Sequence, residues 1–293
     1  MQKEDEVNED IQTSPEELVK GMIKLVSLPH VCIRVNLMVD DPSFSNSDIG
    51  DVISQDASLT VRLLKVANSA FFGFQSKIET VSRAVTVIGT HELRDLVLAV
   101  SAVRTFTNIP IDLANMASFW RHSMFCGIVA RLIAEKCNVL HSERLFVSGL
   151  LHDIGQLIIF HKLPDLSRKM LRRVDLTDEE LHTVEEHFLG FNHGDVGAVL
   201  MNTWQLPPAL CNAIKYHHAP GKAESDDLEA SIIHLANAIT HIAELEHMRD
   251  ISIQRIDPYA WQRTKLSEDI IDDIIDQAHP LLFDGLAMIM PKE

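Results

Sequence analysis

The sequence predicts an all-α protein made of two helical subdomains. Apolar residues recur at spacings of three and four along most of the chain, and they nowhere alternate cleanly with period two over more than a few residues. Aromatic residues make up only 6% of the composition, so Leu, Ile, Val and Ala carry most of its 46% hydrophobic content, which suits helix packing. Residues that cap helices precede many of the apolar segments.

The N-terminal subdomain is predicted to span residues 14–108 and to contain about six short helices. It follows a disordered acidic leader over residues 1–13, which are charged and nearly free of large apolar side chains. Order is expected to begin with a capping box in which Ser14 is the N-cap, Pro15 takes the first helical position and Glu17 the third. The predicted helices lie at 15–26, at 31–39, from Ser47, from Asp56, at 81–88 and from Thr90.

A second subdomain is predicted over residues 109–248, beyond a joint at Asn-Ile-Pro 108–110. Its helices are expected near 113–137, 142–160, 163–174, 178–188, 192–203, 207–217 and 228–248, with a capping box at 177–180. Residues 249–293 form an acidic C-terminal helical extension. A helix starting near Ser267 is expected to pack this extension on the body through a stripe of isoleucines, namely Ile270, Ile271, Ile274 and Ile275.

Charge is concentrated at the two ends of the chain. The protein has 26 Lys and Arg against 42 Asp and Glu, a formal net charge of −16. Residues 1–17 contribute −6 and residues 224–293 contribute −10, which leaves residues 18–223 balanced. Because polyanion binding needs clustered basic residues, we expect no nucleic-acid partner. The acidic ends favour solubility or a basic protein partner. A basic helix face is interpreted as solvated or protein-contacting, and it consists of Arg168, Lys169, Arg172 and Arg173.

Cysteine usage and hydropathy indicate a cytoplasmic protein without membrane association. The four cysteines are scattered with no Cys-x-x-Cys pair, as expected of reduced core residues. The chain does not begin with the basic and apolar regions of a signal peptide. No apolar run approaches the roughly 20 residues that span a bilayer.

Histidines and one aspartate form the candidate site. The segment Gly-Leu-Leu-His-Asp-Ile-Gly at 149–155 places His152 and Asp153 inside an apolar helix. An unpaired charge there would cost several kcal/mol, so Asp153 requires a cation, a network of donors or a metal. His122, His193 and the pair His217-His218 come from other predicted helices, as a metal site in a bundle core requires.

The chemistry of these residue types narrows the choice of metal but leaves alternatives open. Imidazole and carboxylate ligands suit a divalent Fe, Mn, Ni or Zn ion, and the absence of thiolate argues against a purely structural Zn site. One alternative is a polar network in which His122, His152 and Asp153 hold helices in register without metal. Another is inter-helix hydrogen bonding by His193 and His217, with His218 facing solvent.

The Leu-Leu-His-Asp-Ile-Gly segment resembles the core motif of the HD superfamily of metal-dependent phosphohydrolases. The wider pattern resembles the HDOD (HD-related output domain) group of bacterial signalling proteins over roughly residues 18–240. The resemblance rests on Leu-Pro at 28–29, residues 53–60, 66–73 and 84–93, His-Gly-Asp-Val-Gly at 193–197, Trp-Gln-Leu-Pro at 204–207 and His-His at 217–218. It implies that the C-terminal subdomain is an HD-domain-like helical bundle.

The resemblance also implies a ligand set. In catalytic HD proteins, a histidine on an early helix, the His-Asp pair and a later aspartate hold the first metal. His122, His152 and Asp153 match the first three roles. The later aspartate corresponds to Asn237, which can ligate through its carbonyl but lacks the charge that helps to hold the ion and activate bound water.

The related HD-GYP cyclic-dinucleotide phosphodiesterases add a histidine and a His-His pair for a second metal. His193, His217 and His218 match these positions. The Gly-Tyr-Pro motif and the glutamate after the pair are absent, and Ala-Pro-Gly-Lys stands at 219–222. Arg121 is a candidate phosphate ligand, with a surface ion pair as the alternative.

Two functions follow from these observations as hypotheses. The first is a non-catalytic HDOD module of bacterial signal transduction, whose pocket still holds a divalent metal and whose N-terminal half docks a protein partner of a signalling pathway. The second is an active metal-dependent phosphohydrolase, a phosphodiesterase acting on a nucleotide or cyclic dinucleotide. A phosphorylated small-molecule ligand is compatible with both because the body is charge-balanced. The sequence indicates no particular oligomeric state.

Overall fold

A computed structural model describes residues 13–69, 77–107, 111–177, 179–245 and 249–289. All regular secondary structure in these ranges is helical, which confirms the all-α prediction. None of the helices within these ranges combines the length and the apolar content needed to cross a bilayer. The predicted leader (apart from residue 13), the joint at 108–110 and part of the resemblance at 66–73 lie outside the described residues.

The N-terminal part is a set of short helices that bury their apolar faces against one another. They are α1 (Pro15–Met22), α2 (His30–Val39), α3 (Asn46–Ser54), α4 (Ala57–Ala67), α5 (Val81–Ile88) and α6 (Thr90–Thr107). Caps define several of their starts: the Ser14 side chain accepts from the Glu17 N–H, and the Asp56 carboxylate accepts from the Leu59 N–H at 3.0 Å. α6 is the central helix, in contact with α2, α4 and α5.

Two boundaries in this part differ from the prediction. α1 ends at Met22 rather than near residue 26, because the chain tightens into a turn in which the Leu25 N–H donates to the Met22 carbonyl at 2.7 Å. α3 is capped by Ser45 rather than Ser47, through a complete capping box with Asp48.

The C-terminal part is a larger bundle. Its elements are α7 (Met116–Lys136), α8 (Glu143–Leu151), α9 (Ile154–Lys162), α10 (Pro164–Leu176), α11 (Leu181–Leu189), α12 (His193–Thr203), α13 (Pro208–Lys215), a 3₁₀ turn (Pro220–Lys222) and α14 (Asp227–Glu244). α7 packs on α8 and α14, and α12 packs on α9 and α13. These two sets of packed helices bring the predicted site residues together.

The predicted helix over 142–160 is wrong at its centre, where the chain breaks into α8 and α9. His152 and Asp153 occupy the break, and Asp153 has φ −94° and ψ 3° at the N-cap of α9. Just after the break α9 approaches α12 closely: a Cβ on Gly155 would lie 2.0 Å from the His193 carbonyl oxygen. The His-Asp pair therefore sits at a helix end rather than inside a continuous helix.

The predicted capping box at 177–180 is also wrong, although Asp178 itself is not described. Thr177 is the C-cap of α10, and α11 begins at Leu181 with Glu180 as an N-cap that makes no side-chain cap bond. The Thr177 hydroxyl instead accepts from the Glu179 N–H at 3.2 Å, and the Glu179 carboxylate accepts two hydrogen bonds from Arg173, at 2.6 and 2.7 Å.

The C-terminal extension contains α15 (Arg249–Gln254), α16 (Pro258–Thr264) and α17 (Ile270–Ile289). α16 packs on α14, and α17 packs on α7 with Ile271 and Ile274 fully buried. One continuous apolar cluster runs through all three parts of the chain. α1 contributes to it by packing on α9 and α12, and the Trp204 Nε1–H donates to the Val26 carbonyl at 2.9 Å.

Candidate metal centre

The structure brings all seven predicted ligand residues into one region. They are His122 on α7, His152 after α8, Asp153 at the N-cap of α9, His193 at the start of α12, His217 and His218 after α13, and Asn237 on α14. The Asp153 side chain, only 10% exposed, is at the centre of the group. No two of these positions except the adjacent pairs are close in sequence, so helix packing creates the cluster.

Four imidazoles direct Nε2 toward the Asp153 carboxylate. His193 Nε2 lies 3.1 Å and His217 Nε2 lies 3.8 Å from Oδ1. His152 Nε2 lies 3.2 Å and His122 Nε2 lies 3.8 Å from Oδ2. A small volume is thus surrounded by one carboxylate and four nitrogen atoms from separate elements.

The Nδ1 atoms of the same four rings are held by acceptors on the outside of the cluster. His152 Nδ1–H donates to the Gly149 carbonyl at 2.7 Å, and His217 Nδ1–H donates to the Ile214 carbonyl at 2.6 Å. Carboxylates hold the other two rings. His193 Nδ1 lies 2.6 Å from Glu185 Oε2, and His122 Nδ1 lies 2.8 Å from Glu244 Oε2. Such outer partners orient the rings of metal-binding histidines and set their tautomer.

This arrangement requires positive charge at its centre. With Nδ1 protonated, each neutral ring presents an Nε2 lone pair to the Asp153 carboxylate, which is itself an acceptor. His152 Nε2, His217 Nε2 and Asp153 Oδ1 are buried side-chain atoms without a hydrogen-bond partner. Unsatisfied buried acceptors are costly, so this centre favours a cation or a hydrogen-bond donor between them.

The pKa values of the metal-free site reflect the same requirement. Burial alone would raise the pKa of Asp153, but His152 and His193 hold it well below its usual range. Burial would lower the pKa of His193, yet the Glu185 and Asp153 carboxylates raise it to about 10, and Asp153 raises the pKa of His152 well above its usual value. Burial, followed by repulsion from neighbouring imidazoles, lowers the pKa values of His217 and His218. The Asp153 and Glu185 carboxylates thus favour the protonated forms of His152 and His193.

Comparison with known proteins identifies the family of the chain. The family model that describes the HDOD domain matches residues 25–220, about two thirds of the sequence. The chain belongs to the HDOD family. An uncharacterized protein of Treponema pallidum (strain Nichols) is 27% identical over 218 residues, which cover 72% of this chain and 42% of that protein. The match with this HDOD protein therefore covers less than half the length of that relative.

Solved structures share its fold. A protein of Shewanella amazonensis SB2B that is proposed to be a phosphohydrolase matches with a TM-score of 0.75 and 21% identity, over 95% of this chain and 99% of the other. An HDOD domain protein of unknown function from Geobacter sulfurreducens matches with a TM-score of 0.66 and 24% identity, over 91% and 98% of the two chains. A proposed metal-dependent phosphohydrolase of Shewanella amazonensis SB2B gives a TM-score of 0.58 at 22% identity, over 93% and 100%.

The residues of this HDOD domain fit a divalent metal. Asp153, His193, His217 and His218 each offer one ligand atom, and these atoms all lie within 4.8 Å of one another. We call these four residues the inner set. His218 is half-buried rather than facing solvent, and its Nε2 lies 2.8 Å from His193 Nε2. One carboxylate and three imidazoles are ligands that Zn, Fe, Mn and Ni accept.

Asn237 and Arg121 occupy the opposite side of the cluster. Asn237 Oδ1 lies 3.1 Å from His122 Nε2, so the amide faces the cluster, while its role as a ligand stays a prediction. Arg121 is half-exposed, and its Nη2 lies 3.5 Å from Glu244 Oε1. This contact agrees with the ion-pair interpretation of Arg121, while its role as a phosphate ligand stays a prediction.

Three residues of the region were missed by sequence reasoning: Glu185, His241 and Glu244. Glu185 is fully buried on α11, and a carboxylate on the apolar face of a helix was a usable sign that it has a polar partner. Asn237, His241 and Glu244 are four and three residues apart, so they share one face of α14. That spacing is visible in the sequence, but it indicates a site only once α7 is known to pack against this face of α14.

Proposed function

We propose that this protein is a regulatory HDOD module of bacterial signal transduction, whose HD-type pocket binds a divalent metal and does not hydrolyse phosphate esters. The observation that carries the proposal is the set of imidazoles directed at Asp153 with their Nδ1 atoms already held from outside. Imidazole Nε2 acceptors that are oriented in this way are typical of a metal site rather than of a hydrogen-bonded core.

The inner set has the composition to hold the ion. Asp153 supplies the charge, and His193, His217 and His218 supply neutral nitrogen ligands from α12 and the turn after α13. A bound divalent ion would act as a Lewis acid and as a cross-link between these elements. Glu185 holds the His193 ring in the orientation that directs Nε2 inward.

Two features favour regulation over catalysis. Asn237 lacks the charge of the aspartate that the family resemblance expects at this position, which weakens the activation of bound water. The segment after the histidine pair is a short 3₁₀ turn that packs on α14 and α16, with Gly221 against the Tyr259 ring. A tight turn at this position differs from the Gly-Tyr-Pro motif of the cyclic-dinucleotide phosphodiesterases, so substrate binding on this side is disfavoured.

An active phosphohydrolase is the second candidate. It is favoured by a second possible ligand set, His122, His152 and Asp153, which retains three of the four groups that hold the first metal in catalytic relatives. The side chains of His122 and Asp153 are 13% and 10% exposed, so a phosphate ester has some access to this edge of the pocket.

Metal analysis of the purified protein tests the proposal. We expect an ion in the inner set of the wild type, its loss in His217→Ala and Asp153→Asn, which remove two of its ligands, and no phosphodiesterase turnover in any of these proteins. His187→Ala is the matched control because His187 is exposed on α11 and lies outside both ligand sets. Wild-type protein that binds no Mn²⁺ or Zn²⁺ would refute the metal site, and metal-dependent turnover would favour the enzyme.

A negative charge introduced at Asn237 tests whether the uncharged amide weakens metal binding in the pocket. Asn237→Asp is expected to tighten divalent-metal binding by about tenfold or more, equivalent to about 1.4 kcal/mol. Isothermal titration with Mn²⁺ measures the change. Asn202→Asp adds the same charge at an exposed position of α12 and controls for a general electrostatic effect. Unchanged affinity in Asn237→Asp would show that the missing charge is not responsible.

A further inference from the structure

A second cluster of ligand-type side chains lies at the rim of the pocket. It consists of His122 on α7 with His241 and Glu244 on α14, and we call it the rim triad. His122 Nδ1 lies 2.8 Å from Glu244 Oε2, and the ring centroids of His122 and His241 are 4.8 Å apart. One ligand atom of each residue lies within 4.8 Å of the other two.

These distances between ligand atoms are close to the distances between ligand atoms that share one metal ion. Ligand atoms held about 2.1 Å from a single metal stand at most about 4.2 Å apart, so the rim triad closes on an ion with small side-chain rotations. His241 and Glu244 are three residues apart on α14, and this spacing keeps them on the face that packs against α7.

The rim triad shares no residue with the inner set of Asp153, His193, His217 and His218. Both clusters can therefore be occupied at the same time. The ring of His122 separates them, with Nε2 on the Asp153 side and Nδ1 on the Glu244 side. An ion at the rim would take Nδ1, which leaves the inner ligands unchanged.

Charge and access also fit a metal. Glu244 provides a negative charge on the same face of α14 as the uncharged Asn237, seven residues further along the helix. Arg121 contacts the other oxygen, Oε1, at 3.5 Å, so Oε2 stays directed at His122. His241 is exposed and the Glu244 side chain is 19% exposed, which leaves room for water to complete the coordination.

We propose that His122, His241 and Glu244 form a second divalent-metal site at the rim of the HDOD pocket, on the solvent side of the inner set. Two imidazoles and one carboxylate with open positions are a ligand set for Fe²⁺, Mn²⁺, Co²⁺ or Zn²⁺. The proposal rests on the proposed function in one respect, because it adds a second ion to a pocket that is taken to bind the first.

Co²⁺ titration of the metal-free full-length protein tests the second site. The number of bound ions is measured by calorimetry and by metal analysis after gel filtration, and the visible absorption of Co²⁺ reports its coordination. We expect two ions in the wild type and one in His241→Ala and in Glu244→Gln. His217→Ala should lose the inner ion and keep the rim ion.

Glu229→Gln is the matched control. Glu229 is on the same helix, its side chain is 14% exposed against 19% for Glu244, and it likewise contacts an arginine, Arg144 at 2.6 Å. The Glu229→Gln variant is expected to bind two ions. Circular dichroism of every variant verifies that the helices are intact.

Three results would overturn the rim site. In the first, the wild type binds a single ion, His217→Ala removes it and His241→Ala does not. The proposed function then stands and the rim site fails. Another is two ions in His241→Ala. The third is weaker binding in Glu244→Gln alone, which would reduce Glu244 to a residue that orients His122. Failure of all binding would refute the proposed function and the rim site together.

Discussion

At the scale of single residues, the orientation of each imidazole around Asp153 is determined by a hydrogen bond at Nδ1, on the side of the ring away from Asp153. Backbone carbonyls hold His152 and His217, and the Glu185 carboxylate holds His193. The side of each ring that faces Asp153 is left as an acceptor, so the pocket has a strong preference for a cation. The neighbouring carboxylates raise the pKa values of His152 and His193 against the effect of burial, which favours a cation at the same place.

The raised pKa of His193 predicts a pH dependence of stability in the metal-free protein. Burial opposes protonation of His193, but Glu185 and Asp153 raise its pKa from the ordinary 6.5 to about 10. A raised folded-state pKa stabilises the fold fully below the unfolded-state value and loses this contribution as the pH rises through the folded-state value. We therefore expect the free energy of unfolding to fall between about pH 6.5 and 10.

Urea unfolding in the presence of a chelator, at several pH values in this interval, measures the effect. His193→Gln should show a flatter dependence because it has no proton to lose. An equal slope in wild type and variant would contradict the assignment. Because metal competes with these protons, metal affinity is expected to rise with pH over the same interval.

At the scale of elements, two close helix contacts position the ligands. α7 and α8 approach at Gly127 and Gly149, where a Cβ on Gly149 would lie 2.8 Å from the Gly127 Cα. α9 and α12 approach at Gly155. These contacts set the distances between helices that carry His122, His152 and His193, because a side chain at either contact would force the backbones apart.

Gly155→Ala is expected to disturb both the packing and the site. The added Cβ would lie 2.0 Å from the His193 carbonyl oxygen, which is backbone and moves only with α12. We expect a loss of about 3 kcal/mol or more in the free energy of unfolding, together with weaker metal binding. Urea unfolding and metal titration measure the two effects.

Gly221→Ala provides the matched control for that substitution. The nearest atoms to its Cβ would be those of the Tyr259 ring, at 3.5 Å or more, which is ordinary contact. Its unfolding free energy should stay within about 0.5 kcal/mol of the wild type. A Gly155→Ala variant as stable as this control would show that α9 and α12 can separate without cost.

At the scale of the whole molecule, the apolar core does not divide at the predicted joint near residue 108. α1 packs on α9 and α12, although it is predicted in the N-terminal subdomain. Asn36 Nδ2–H also donates to the Gln205 carbonyl at 2.9 Å. The helices before and after the joint therefore share buried contacts as well as a chain connection.

A shared core predicts that the described parts unfold together. We expect tryptophan fluorescence and far-ultraviolet circular dichroism to give the same urea midpoint in a single transition. Trp120 on α7 and Trp204 at the contact with Val26 report on different regions. Two separated transitions would instead support independent subdomains, as the sequence prediction of two units implies.

Much of the fold could be predicted from the sequence because helix formation depends on neighbours in the chain. The spacing of apolar residues and the caps at Ser14, Asp56 and Asn192 act within one or two helical turns. Errors arose where a contact with a distant element decided the outcome. The break at His152 and Asp153 lies where α9 approaches α12.

The candidate ligands illustrate the same difference between what local sequence predicts and what contacts between distant segments decide. The sequence by itself determined the helical class, the His-Asp motif and, through its family resemblance, the seven residues that the structure brings together. Only the tertiary structure decided which atoms face Asp153 and which carboxylates hold the rings, because His122 and Glu244 are 122 residues apart. Their approach results from the packing of α7 on α14, a contact between distant segments that no local spacing encodes.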